Sequence, residues 1–436
     1  MEQSNNLKQA KHLIVISLDA FSEDNWEEAK KLPNFSRLIE NGAFSNQLKS
    51  VFPTHTYVAH TTMVTGVYPE KHGIHHNNQF QPFVPEKEQT WHWHQRDIKA
   101  PTIYDLARQK GLKTAALLWP VSGKSSIHYN LPEVAAIKNE NQALKVIKNG
   151  SPLFVAGLEL RLGKQRKGIE QPYLDDYITL CAMDTIRRKK PNLLLLHLLD
   201  LDSAKHNHGT SSEEVRESLD RTDRRIGEIL QSVKEADMMD STALFIIGDH
   251  GQFDIHYAVH INNLLRDRGL ICEETGKRKW RAYLQSAGGS AYLHIRDDDP
   301  EAEEIALNCL REAMKEEKYG IEHIYNRQEL DDLRAVRHIK YAVEAKKGYI
   351  FKDRLTEITV DNYLAKGMKN GNHGYSPDKN NYRCNFIAYG CNIEGNLPLG
   401  PVEMTDIAPT MARVLGLDFY AGDGRVLEEM IRQDIP

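Results

Sequence analysis

The sequence predicts an α/β fold with a mostly parallel central sheet flanked by helices, and three observations carry that expectation. First, short runs that are apolar at nearly every position recur along the chain: LIVISL (13–18), TAALLW (114–119), NLLLLHLL (192–199), TALFIIG (242–248) and NFIAYG (385–390). Runs of this length without alternation suit strands covered on both faces. Second, helical patterns separate them, which is the βα alternation of a parallel sheet. Third, aspartates and histidines cluster just beyond several of the runs, where ligands bind in open parallel sheets.

The elements follow in order. NFSRLIENG (34–42) reads as a helix stopped by a glycine C-cap at Gly42. TIYDLARQKG (102–111) starts at Thr102 as N-cap, behind Pro101, and stops at Gly111. LDRTDRRIGEILQSVKEA (219–236) carries apolar residues at helical spacing. Residues 263–370 read differently. YLQSAGGSAYLHI looks like a strand region, DPEAEEIALNCLREAMKEE like an amphipathic helix and GYIFKDRLTEITV like a further strand pair or an irregular β segment. The expected organisation is a core in two parts, 1–262 and 371–436, interrupted by a small α+β insert at 263–370. A helix near 405–416 closes the core.

The chain has 436 residues, 40% hydrophobic and 27% charged, with a formal net charge of −5. This is a globular composition, and it lacks the basic footprint of a nucleic-acid binder. No apolar run is long enough to span a bilayer and no signal-peptide core precedes LIVISL, so no membrane partner is expected. The five cysteines are scattered without a CxxC pair, which reads as thiols in a reduced, cytosolic setting.

Five threonines (Thr54, Thr56, Thr61, Thr62, Thr65) and five histidines (His55, His60, His72, His75, His76) crowd into residues 51–78. Elsewhere, Asp19 closes the first strand run. Asp202 and His206 stand four apart, on one face of a helix. GDHG places Asp249 beside His250, and GNHG presents His373. Taken singly, each has an ordinary structural explanation as a cap, a solvated pair or a polar turn. Together, three aspartates and three histidines near strand ends fit a site for two divalent cations. Nitrogen and carboxylate ligands without thiolates suit zinc or a similar ion. Two such ions about 4 Å apart can clamp the attacking and leaving oxygens of an in-line displacement at phosphorus. The threonines at a predicted helix start, Thr54 and Thr56 among them, offer a nucleophile.

At these residues the chain resembles the nucleotide pyrophosphatase/phosphodiesterase group of the alkaline phosphatase superfamily, from VISLDAF to DGRVLEEM. FPTHTYVAHTTMVTGVYPEKHGI is similar to that family's nucleophile segment, LLDLDSAKHNHG to its EEPDSSGHSYG, and GDHG and GNHG to its remaining ligand motifs. The resemblance implies an alkaline-phosphatase-like core and makes Thr56, rather than Thr54, the nucleophile. It implies one cation on Asp19, Asp249, His250 and the Thr56 oxygen, and a second on Asp202, His206 and His373. It also implies that Asn77 binds phosphate, that His60 matches a family histidine, and that Tyr57 contacts a flat leaving group. The expected reaction is hydrolysis of a phosphodiester or pyrophosphate bond through a phosphothreonine, with a nucleotide or other small phosphodiester as substrate. Departures are Tyr57-Val58-Ala59 for the family's Phe-Pro-Asn, Lys205 for its glycine before the ligand histidine, and Asp19-Ala20 for its Asp-Gly. A sulfatase would need a CxPSR-like segment, which is absent. The enzymatic alternatives are a phosphonoacetate hydrolase, with Lys124 as a carboxylate-binding candidate, and a phosphomonoesterase. The non-enzymatic alternative is a metal-stabilised binding protein.

Overall fold

The computed structural model describes residues 9–419 and 422–432. Six strands of the main sheet are β1 (His12–Leu18), β2 (Ala43–Lys49), β3 (Thr114–Leu117), β4 (Tyr129–Leu131), β5 (Leu193–Leu198) and β6 (Thr242–Gly248); a seventh, β7, is Cys384–Gly390. Their order is β2-β7-β6-β1-β5-β3-β4. Pairings from β6 through β4 are parallel, whereas β7 runs antiparallel to both β6 and β2. The sheet is therefore mostly parallel, as expected.

The apolar runs are strands because both faces are covered. Leu13, Val15, Leu195 and Phe245 point into one apolar cluster, while Ile14, Ile16, Leu196 and Ile246 point into another on the opposite face. The two-residue period of a strand sends alternate side chains to the two layers. On the first face lies the helix Thr56–Thr65, every residue of which is buried. On the second lie the helices Pro33–Glu40, Tyr173–Lys189 and Glu213–Glu235.

Two helix-end expectations separate here. Thr102 caps Ile103–Gln109, its side chain accepting the Asp105 N–H, and Gly111 adopts a left-handed conformation (φ 77°). Gly42 does not adopt one. Pro33–Glu40 ends at Asn41, and a Cβ on Gly42 would come within 2.2 Å of the Ala388 carbonyl oxygen. Glycine is needed there for close approach of two backbones, a requirement invisible in the local pattern.

The smaller unit holds an antiparallel four-stranded sheet of Ala282–Ser286, Ser290–Ile295, Tyr341–Ala345 and Ile321–Tyr325, with the helix Pro300–Met314. GYIFKDRLTEITV yields two strands, Tyr349–Lys352 and Val360–Asn362, but they do not pair with each other. Both flank Tyr257–His260. That strand precedes the boundary expected at 262/263, and Asn370–Asn372 pairs with Phe253–Ile255. The unit's apolar cluster accordingly reaches from Phe253 to Tyr382.

Candidate active site

Three neighbouring parallel strands build the site. β6, β1 and β5 lie side by side, with Leu18 in register with both Gly248 and Leu198. Asp249 and His250 follow the first, Asp19 the second, and the helix Asp200–His208 carrying Asp202 and His206 the third. The last residue of β6, Gly248, lies so close to the loop after Asp19 that a Cβ there would sit 1.8 Å from the Phe21 carbonyl oxygen. The helix Thr56–Thr65 presents Thr56 as its first residue, with His55 as N-cap. His373 arrives on the segment after Asn370–Asn372.

Two groups of ligand-capable atoms result, Asp19/Asp249/His250 and Asp202/His206/His373, with the atoms of each group within 4.8 Å of one another. In the first, His250 Nε2 lies 3.2 Å from Asp19 Oδ1 and 3.4 Å from Asp249 Oδ2. Thr56 Oγ1 is 3.3 Å from the same nitrogen. In the second, His206 Nε2 lies 3.4 Å from Asp202 Oδ1. His206 Nδ1 is within 2.9 Å of the Gly371 carbonyl and His373 Nδ1 within 3.1 Å of the Thr54 carbonyl, which turns each Nε2 to the site. The His250 and His373 rings stack with centroids 4.0 Å apart, joining the groups.

Electrostatics show what the arrangement demands. Burial, reinforced by the Asp19 charge, pushes Asp249 up to about 7, and the same two causes raise Asp202. Burial opposes charge on His250, but Asp249 and Asp19 outweigh it and raise the imidazole to about 9. Burial also opposes the Asp19 charge, yet a hydrogen bond from His197 to Oδ2 and the charge of the adjacent His250 imidazole hold that carboxyl well below the usual range. Asp249 Oδ1 accepts the Ala20 and His250 backbone N–H groups at 2.9 Å each. Asp19 Oδ1 and Asp249 Oδ2, both buried, have no hydrogen-bond partner. Buried, mutually repelling carboxylates with unpartnered oxygens are the environment a divalent cation compensates. The residues present fit the expected ions.

His197, Glu133 and Gln252 were not assigned from the sequence. His197, the one imidazole in the apolar run of β5, bridges Asp19 Oδ2 at 3.2 Å and Glu133 Oε2 at 3.1 Å. Glu133 Oε1 in turn accepts the Tyr57 hydroxyl at 3.2 Å. A polar residue inside a buried strand was the available signal. Gln252 donates to Asp202. Lys205, at the departure noted before the ligand-capable His206, is fully buried and donates from Nζ to the Ala20 carbonyl at 2.8 Å and to Asp24 at 3.1 Å. It ties the Asp202 helix to the loop after Asp19. His60 Nδ1 lies 2.8 Å from the Thr56 carbonyl and 3.6 Å from Asp249 Oδ2. Thr61, Thr62 and Thr65 return their hydroxyls to carbonyls four residues back, which satisfies them inside a buried helix.

A cavity of about 280 Å³ opens over the site, lined by Asp19, Thr56, Asn77, Asp202, His206 and His373, while Asp249 and His250 are wholly buried. Asn77 Oδ1 accepts the Tyr57 backbone N–H at 2.9 Å. Tyr57 also borders the cavity but is only 1% exposed; its ring meets Trp91 edge-on at 5.3 Å. The smaller unit adds Tyr283, Gln285 and Phe351 to the wall, and Trp91, Tyr283 and Lys352 are shared with an adjoining cleft of about 1240 Å³. Lys124 is exposed and is not among the lining residues. His76 contacts the Ser286 carbonyl and His75 packs against His338.

The family described as type I phosphodiesterase / nucleotide pyrophosphatase matches residues 13–376. The chain belongs to this family. Among curated proteins, it is 26% identical over 255 residues to venom phosphodiesterase 2 of Crotalus adamanteus, covering 56% of this chain and 27% of the relative. It thus spans about a quarter of the venom enzyme's length. It is 21% identical over 452 residues to ectonucleotide pyrophosphatase/phosphodiesterase family member 7 of Rattus norvegicus, covering 98% of this chain and 89% of the relative. Among solved structures, murine ectonucleotide pyrophosphatase/phosphodiesterase 5 superposes with a TM-score of 0.70 at 18% identity, covering 97% of this chain and 100% of that one. An inactive threonine-to-alanine form of the murine protein in complex with AMP matches equally well. These structures share the fold.

Proposed function

We propose that this family member hydrolyses phosphodiester or pyrophosphate bonds through a covalent phosphothreonine on Thr56. The observation that carries the reading is the convergence of two ligand groups beside the hydroxyl of a residue at a helix N-terminus. Asp19, Asp249, His250 and the Thr56 oxygen would hold one cation, and Asp202, His206 and His373 the other, with zinc the first candidate for both. When bound, the cations lower the pKa of the Thr56 hydroxyl and of an attacking water, and offset charge on the phosphoryl oxygens.

The chain's own groups divide the remaining work. The Thr56 oxygen attacks phosphorus, the bond to the leaving oxygen breaks, and phosphothreonine forms. Water then attacks the same phosphorus, the Thr56–phosphorus bond breaks, and the phosphomonoester leaves. The helix N-terminus favours the negative charge that develops at Thr56. With its Oδ1 engaged by Tyr57 N–H, Asn77 keeps its amide N–H groups for a phosphoryl oxygen. Tyr57 acts as a wall of the leaving-group side, with Trp91 and the smaller unit's Tyr283. The AMP complex of the inactive murine relative supports a nucleotide as substrate class. The reduced, cytosolic setting and the division into core and insert belong to the same proposal; cell fractionation tests the former and limited proteolysis the latter.

The deciding experiment compares turnover of an aryl phosphodiester, an aryl phosphomonoester, a dinucleotide polyphosphate and phosphonoacetate, with and without chelator. Chelator-sensitive preference for the diester and the pyrophosphate supports the proposal. Preference for the monoester or phosphonoacetate would overturn the substrate class, and absence of any turnover would favour a binding protein.

A further inference from the structure

The helix Pro152–Leu162 is apolar on two opposite faces. Phe154, Val155 and Leu158 turn inward and are buried. Leu153, Ala156 and Leu160 form the opposite stripe, at the three- and four-residue spacing of helix neighbours. Leu153 is 91% and Leu160 87% exposed. A helix with two apolar faces is ordinarily covered on both; here one is left to solvent. Leu144 (55% exposed), Ile169 (65%) and Tyr173 (46%) lie close by in sequence, so five of the nine exposed large apolar side chains among the described residues fall within residues 144–173.

The fringe of this patch is basic. Residues 144–173 hold six lysines and arginines against two glutamates, in a chain whose net charge is −5. Arg161 and Arg166 are engaged by Asp184 and Glu159, whereas Lys164 and Lys167 form no ion pair among the described residues. We propose that this surface docks peripherally on an anionic lipid bilayer. Leu153 and Leu160, about 10 Å apart along the helix, enter the headgroup–acyl boundary, and Lys164 and Lys167 meet the lipid phosphates. No described helix is long and apolar enough to cross a membrane, so the contact is one of lying on the surface. A second copy is the poorer occupant, because a two-fold interface through this face would set its lysine fringe against itself. The protruding leucines form a ridge rather than a groove, which suits a deformable lipid surface better than a helical partner.

The test is co-sedimentation of the full chain with phosphatidylcholine vesicles, with and without phosphatidylglycerol. Wild type is expected to sediment with the anionic vesicles and to be released by salt. Leu153→Glu/Leu160→Glu and Lys164→Glu/Lys167→Glu should each lower the apparent affinity at least about tenfold. All these side chains are exposed, so circular dichroism melts should match wild type. Failure to sediment at low ionic strength overturns the proposal. So does binding that the leucine pair leaves unchanged, or self-association in light scattering that the leucine pair abolishes.

Discussion

The two ligand-capable groups differ in how they are held. Asp19, Asp249 and His250 are buried, with side chains 0–3% exposed. They project from adjacent parallel strands, and backbone amides and His197 fix their carboxylates. Asp202 and His206 are 15% and 31% exposed, stand on a nine-residue helix, and wait for His373 from a distant segment. That segment is placed by pairing of Asn370–Asn372 with Phe253–Ile255 and by the Gly371 carbonyl on His206. The inner group is thus built into the sheet, while the outer one is assembled by long-range contacts. A pre-formed group binds without reorganisation; an assembled one can lose a member without loss of the core.

Substitutions can break this contrast, beginning with the residue next to both groups. Thr56→Ala should lower turnover by at least about a thousandfold with the fold and most of the metal retained; substantial residual turnover would remove Thr56 as nucleophile. Asp249→Ala comes next. It strips the inner group and leaves the Ala20 and His250 amides unpaired, so activity should vanish and stability fall by about 2–4 kcal/mol in chemical denaturation. His373→Ala, by contrast, should reduce bound metal from about two ions to about one per chain with little change in the denaturation midpoint. Equal destabilisation by both substitutions would erase the distinction between the groups.

A finer comparison concerns support. His197→Asn and Glu133→Gln should weaken metal at the inner group by about 10–100-fold, read by competition with a chromogenic chelator, and leave the outer ion in place. A further effect, confined to acid pH, is a pH dependence outside both groups. Burial depresses His72 to about 3, and burial with the nearby His338 depresses His294 to about 3. Both are neutral when folded but take a proton near pH 6.5 when unfolded. The stability they contribute is therefore complete above about pH 6.5 and is lost as pH falls toward about 3. The slope is at most about 1.4 kcal/mol per pH unit for each histidine. Replacing His72 with Gln should flatten that limb of a stability–pH curve.

Much of the molecule was legible in its sequence for local reasons. Strands buried on both faces have no polar side to display, so LIVISL, NLLLLHLL and TALFIIG declare themselves. Covalent adjacency then carries Asp19, Asp249 and His250 to the strand ends, and helical spacing pairs Asp202 with His206. What the tertiary structure alone decided lies in contacts between distant residues. Glu133 meets His197 across 64 positions and Lys205 meets Ala20 across 185. Gly42 is glycine because of Ala388, and Tyr257–His260 joins the smaller unit because of strands about a hundred residues later. Short-range patterns record which faces must be buried and which side chains a turn must carry. They do not record which distant backbone will supply the partner, because that is set only when the layers pack.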